Sequence, residues 1–252
     1  MLFDKSGYRG LALILFSSMS ATASFADGQP AKNFFFDYTK GHLLLEFGGF
    51  YATQGKAQDI QIESLIGNRY TVKSRSQGNG LVGVGYFLDG PERDRFKFSY
   101  GANVFFFGRT SVKGYIIEEH LDTNLSYTYK TRNIPLMFMA KSIVQTPSDK
   151  INLAIDVGIG PSFIEASHYN EIPLTTFTVP DHGFSDHNTT AFAATVGAGL
   201  RFNNVANKIP LECGYRFFYL GQGQFAKNND LIINTLKTGN NYANAILCAV
   251  TL

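Results

Sequence analysis

The chain has 252 residues, of which 44% are hydrophobic, 14% aromatic and only 17% charged, with 22 Lys and Arg against 20 Asp and Glu. A net charge of +2 excludes the basic stripe of a nucleic-acid binder, and the 23 Phe, 13 Tyr and 25 Gly exclude a disordered chain. Two cysteines, Cys213 and Cys248, supply neither a disulfide framework nor a cysteine zinc site.

The N-terminus reads as an export signal. Lys5 and Arg9 precede the apolar run 11–16, and small residues follow up to Ser24-x-Ala26, with Ala21-x-Ala23 as the alternative cleavage site. The run is too short to span a bilayer as a helix. The expected organisation is therefore a signal peptide over 1–26, a short periplasmic segment over 27–41, and one domain over 42–252.

Within that domain side chains alternate with period two, the signature of strands whose successive residues face opposite sides. The segment 151–160 carries it most clearly: Ile151, Leu153, Ile155, Val157 and Ile159 alternate with Asn152, Ala154, Asp156, Gly158 and Gly160. The same pattern places strands at about 42–53, 69–88, 95–111, 125–143, 151–166, 189–203, 210–221 and 241–252. Pro135, Met137 and Met139 blur it in the fourth. Long connections (54–68, 112–124, 167–188 and 222–240) alternate with short ones (89–94, 144–150 and 203–209). Long loops on one side and short turns on the other characterise an eight-stranded antiparallel up-and-down transmembrane β-barrel.

The chemistry of the two faces favours lipid over a water-exposed sandwich or a lipocalin-like carrier. One face carries Phe, Tyr, Leu, Ile and Val almost without charge; a charge there would cost about 2–4 kcal/mol at the lipid midplane. The other carries mainly Gly, Ala, Ser, Asn and Thr, suited to a narrow interior. Six ions on that second face (Glu46, Lys97, Asp156, Arg201, Glu212 and Arg216) have both signs. They are expected to pair into an interior ionic network that seals the lumen.

Thr131-Arg132-Asn133-Ile134-Pro135-Leu136 and Gly214-Tyr215-Arg216-Phe217-Phe218-Tyr219-Leu220-Gly221 resemble recurrent segments of strands four and seven in the small outer-membrane β-barrel superfamily. That superfamily includes the OmpA transmembrane domain, OmpX and the Opa-like proteins. The resemblance extends as a pattern over 40–252 and implies residence in a bacterial outer membrane. It also implies that Tyr242, Ile246, Cys248, Val250 and Leu252 form the C-terminal insertion strand read by the barrel-assembly machinery. The chain departs from the family by ending in Leu252 rather than an aromatic residue. Family members tolerate a proline near Pro135, where a bulge or a strand start is expected.

Several small barrels are enzymes, so the five histidines (His42, His120, His168, His182 and His187) are candidate catalytic bases. His168 beside Ser167 is the best placed, but no catalytic motif surrounds it. The third long loop also holds Glu171, Asp181 and Asp186 with His168, His182 and His187, at spacings that fit no compact metal motif. The expectation is a structural or adhesive barrel without catalysis, cofactor or metal. Its partners would be outer-membrane lipid and lipopolysaccharide and, through the long loops, a host or cell-surface protein. The alternatives are a narrow, porin-like solute channel and a lipid A-modifying enzyme. Apolar loop residues (Ile60, Ile62, Ile116, Ile117, Leu174, Phe177, Phe184, Leu231, Ile232 and Ile233) would either extend the sheet above the membrane or meet a partner. Cys213 and Cys248 fall on one face of consecutive strands, either bridged or as two apolar thiols.

Overall fold

The computed structural model describes residues 41–148, 150–206 and 209–252; the expected signal peptide and nearly all of the 27–41 segment lie outside them. Eight antiparallel strands form the wall: β1 Gly41–Thr53, β2 Ser76–Arg93, β3 Phe96–Phe107, β4 Asp122–Val144, β5 Ile151–Pro173, β6 His187–Ala206, β7 Ile209–Gln224 and β8 Lys237–Thr251. Each pairs with its sequence neighbour, and β1 pairs with β8, so the sheet closes into a ring. Leu43 and Leu252 exchange both backbone hydrogen bonds across that seam, at 3.0 and 2.8 Å. Closure removes the open edge that hydrocarbon cannot solvate.

Alternation orients the wall. On β5, Ile151, Leu153, Ile155, Val157 and Ile159 point outward and are exposed, while Ala154, Asp156 and Gly158 are buried. Phe47, Val84, Phe138, Phe192, Val196 and Ile246 continue this exposed apolar band around the ring. Tyr242, Ile246 and Leu252 are exposed, and Cys248 and Val250 share their outward face. The inward face is more aromatic than composition suggested. Phe50, Phe87, Phe105, Phe107 and Phe218 pack inside with Met137 and Met139, opposite positions where glycine leaves room. Gly83, for example, sits against Phe105, and a Cβ there would approach the ring to 2.8 Å.

The strands run well beyond the membrane. β4 and β5 each have 23 residues, about twice the 9–11 needed to cross hydrocarbon. The expected loop at 112–124 is instead a hairpin: Thr110–Glu118 continues the line of β3 and pairs with β4. It turns through Glu119 and His120, both at positive φ. The alternation persists there, with Val112 and Ile116 inward, but outward residues such as Lys113 are polar because that face meets water. The second strand starts at Ser76 rather than 69. Residues Asn68–Tyr70 form a short strand between Gln58–Ile60 and the β3 extension. Phe184–Ser185 and Ala226–Lys227 form a second ribbon that ties the third long loop to the fourth.

Pro135 lies inside β4, paired with Ser162 of β5. Its other neighbour is irregular: β3 pairing ends at Val104↔Leu136 and resumes, one residue out of step, at Thr110↔Thr131. The missing proline N–H thus falls beside a bulge, where a ladder bond is already lost. His168, at positive φ, is an extra residue in β5 where the register against β4 shifts between Thr128 and Lys130.

Candidate functional site in the lumen and at the extracellular rim

The lumen is filled in layers. Nearest the short-turn end, Glu212 on β7 accepts hydrogen bonds from Lys141 Nζ at 2.7 Å and Arg201 Nη1 at 3.1 Å. One layer up, Arg216 donates from Nη1 to both oxygens of Glu46, at 2.9 and 3.1 Å, and from Nη2 to Asp156 Oδ2 at 2.8 Å. Asn103 donates to the same Glu46 carboxylate. The Arg216 guanidinium also lies over the rings of Phe105 and Phe218, 5.3 and 6.0 Å from their centroids. Three carboxylates thus meet three cations, and a cavity of only about 30 Å³ remains beside them, room for water and little else.

Of the six ions read from the sequence, five meet in this cluster. Lys97 is the exception: it occupies the inward parity of β3 but sits at the strand's solvent end, half-exposed, bonded to Glu92 at 2.7 Å. Lys141 takes the interior cationic role instead. It was missed because it follows the blurred stretch from Pro135 to Met139, yet counting inward every second residue from Thr131 reaches it. His42, at the same end as Lys97, faces Asp89 at 3.4 Å.

Above the ions, Phe50, Phe105, Phe107 and Phe218 pack edge to face. Gln54, Thr110 and Thr131 then close a buried hydrogen-bonded triangle across the lumen. Higher still, outside the apolar band, Tyr70, Tyr127, Tyr129, Tyr169, Phe184 and Phe225 form a second core with Ile60, Ile116 and Ile232. Tyr70 and Tyr169 hydroxyls meet at 3.1 Å, and Tyr169 donates to Glu171. Burial raises all four tyrosines above the ordinary phenol range. Ionisation near pH 10 is therefore expected from the unfolded chain and not from these four in the folded one. The folded state then holds protons that the unfolded state releases, so the stability they confer is full below pH 10 and falls as pH rises further. Ultraviolet difference absorption should leave four phenols un-ionised at pH 11.5 until the barrel unfolds; ionisation of all tyrosines in folded protein would contradict this packing.

The loop candidates resolve into two sets. Ile60, Ile116, Phe184 and Ile232 are buried in the upper core, whereas Leu174, Phe177, Leu231 and Ile233 are exposed; Ile62 and Ile117 are half-buried. A cavity of about 310 Å³ opens among the loops, walled by Ile60, Ile62, Leu65, Tyr70 and Leu231, with Glu171 and Asp181 at one side. His168 Nδ1 lies 3.0 Å from Ser167 Oγ, but Ser167 is buried. The nearby Asp186 accepts from the His168 backbone N–H rather than from the imidazole. The contact therefore lacks both an open nucleophile and an oriented base. Glu171 accepts the backbone N–H groups of Asp181 and His182, at 2.9 and 3.0 Å. Both carboxylates are engaged in shaping the loop. Cys213 and Cys248, directly opposite on β7 and β8, form a disulfide on the outward face.

A closed eight-strand ring, an apolar belt facing out and ions paired within leave one solvent that suits the wall, a lipid bilayer. This protein is an eight-stranded β-barrel of the transmembrane kind. Similarity to solved structures lies at the level of fold. Neisserial surface protein A matches with 11% identity and a TM-score of 0.39 over 83% of this chain and 96% of that one. OprG of Pseudomonas aeruginosa matches with 11% identity and 0.48 over 84% and 96%. The outer-membrane protease OmpT of Escherichia coli matches with 8% identity and 0.46 over 86% and 97%. No protein-family model and no curated protein sequence matches the chain.

Proposed function

We propose that this barrel is a non-conducting, non-catalytic surface protein, exported by a cleaved signal, whose loop tips bind a protein partner at the cell surface. The observation that carries the reading is the apolar character of those tips. Phe177 is 95% exposed, Val179 78%, Leu121 75% and Ile66 69%. They lie on the long-loop side, far above the lipid-facing band, where water would otherwise meet them. Large apolar side chains held out in water on a stable scaffold suit an interaction site. The loops that carry it are stiffened by β-pairing and by the aromatic core beneath, which reduces the ordering cost of association.

The packed lumen supports the non-conducting half of the reading. In planar bilayers the purified barrel should give no stable large single-channel steps; regular steps would favour the channel alternative. For the adhesive half, F177S/V179S and L121S should fold normally, judged by heat-modifiable gel migration, yet reduce attachment of expressing cells to host-cell or partner-cell layers several-fold. Attachment equal to wild type would remove this reading.

A further inference from the structure

A second outward surface, lower than the loop tips, has no counterpart in the sequence reading. Immediately above the exposed apolar residues Phe106 and Phe163, the wall changes to cations. Arg109 and Arg132 both bond Glu165, at 2.7 Å each, from its two oxygens. Both arginine side chains are 43% exposed. Register places Arg132 directly opposite Glu165, and Lys130 lies one outward step higher on β4. Lys73, Arg75 and Lys113 extend the exposed stripe along the β3 extension. Six cations therefore face two carboxylates on this part of the wall, Glu165 and Asp186, the second of which accepts the His168 backbone N–H.

That excess is not a structural necessity. Glu165 spends one bond on each guanidinium, and an arginine carries five N–H donors in a planar fork. Each guanidinium is held in place with donors left for an outside acceptor. The wall below is shaped as well. Beneath Arg132 and Glu165, Ile134, Phe163, Asn188 and Thr190 border an outward hollow of about 330 Å³. Further down the same strands, between Tyr100, Phe138 and Ile159, a shallow trough of about 580 Å³ is bordered by the small outward residues Ala140 and Ala194. Side-chain size explains the trough: small residues stand where the rest of the belt carries large ones.

We propose that this face is a binding site for the phosphorylated glycolipid of the outer leaflet, with its phosphates on Arg109, Arg132 and Lys130 and an acyl chain lying down the wall into the trough. Height and sidedness support this choice. The cations stand on the long-loop side, which faces outward in such barrels, at the level where the apolar band ends and headgroups begin. Anionic oxygens are what unfilled guanidinium donors bind best. The carboxylate between the two arginines suppresses their mutual repulsion before lipid arrives, and it preorganises the pair.

The test uses full-length mature barrel in neutral detergent, with binding of lipid A followed by native mass spectrometry and by thermal shift. Bisphosphorylated lipid A should bind and stabilise wild-type protein, with an affinity that weakens as salt rises. Dephosphorylated lipid A should bind at least tenfold more weakly, and R109Q/R132Q should lose roughly tenfold for each arginine. E165Q removes the structural contact but keeps the cations, so it should retain binding; loss in E165Q equal to that in R109Q/R132Q would reduce the pair to wall architecture. If R109Q/R132Q fails to fold, the comparison of phosphorylated with dephosphorylated lipid on wild-type protein still decides. Equal binding of those two lipids would overturn the site, and equal or tighter binding of phosphatidylglycerol would overturn its assignment to the glycolipid.

Discussion

Replacing Arg216 by methionine should lower the stability of the folded barrel by about 3–5 kcal/mol, the cost of breaking a buried ion pair from one side. The guanidinium is the only group bonded to both Glu46 and Asp156 among the ion pairs of the described residues, and all three residues are nearly inaccessible to solvent. Removing it leaves two carboxylates in a lumen with almost no space for water. Asn103 would still donate to Glu46, but a neutral amide cannot offset two negative charges. The measurement is urea unfolding of protein refolded into detergent or lipid vesicles, read by the shift between heat-modified and compact gel bands. R216K should recover only part of the loss, because an ammonium is a point charge and cannot span both acids with a planar fork. The triple replacement E46L/D156L/R216M should recover most of it, since a well-packed apolar substitute for a whole buried cluster is often neutral or better. A single R216M variant as stable as wild type would show that the lumen ions do not hold the wall together.

Much of this site is legible in the sequence because a strand has a rigid two-residue period. Once Ile155 and Val157 are assigned outward, Asp156 must point inward, and Arg216 follows in the same way from Tyr215 and Phe217. Parity alone does not give height. Lys97 has inward parity but lies at the barrel's end, where water rather than a carboxylate cluster surrounds it. Height fails at the other end too: polar outward residues in 112–124 resemble a loop, although a strand that has left the membrane carries lysine on its outer face without cost. Wall irregularities were the third obstacle. The bulge at His168 reverses parity within β5, so Glu171 faces inward beyond it, paired with Tyr127, although alternation counted from Ile151 would send it out. Side-chain partners on neighbouring strands, such as Arg132 with Glu165, depend on register and are invisible to any single segment. The apolar loop residues divided for a similar reason. Ile232 is buried and Leu231 exposed because short ribbons fold one face of each loop onto Tyr70 and Phe184.

Replacing both cysteines by valine should cost about 3–4 kcal/mol, even though valines preserve the apolar character of the outward face. The two cysteines stand 35 residues apart in sequence, and a cross-link over a loop of that length removes about that much chain entropy from the unfolded ensemble. Position adds to the consequence. The bridge joins β7 to β8 at Cys213↔Cys248, and β8 is the strand that must also find β1 to close the ring. A bridge formed before the ring closes would deliver the last hairpin already paired and in register. The only search left to the final strand is then the seam from Leu44↔Thr251 to Thr53↔Tyr242. Two readouts separate this from a mere packing contribution. The urea midpoint of C213V/C248V should fall, and its refolding should slow, because the hairpin must form without its staple. Loss of stability with an unchanged refolding rate would place the whole effect in native packing. A midpoint equal to that of oxidised wild type would mean that the strand ladder alone fixes the last hairpin.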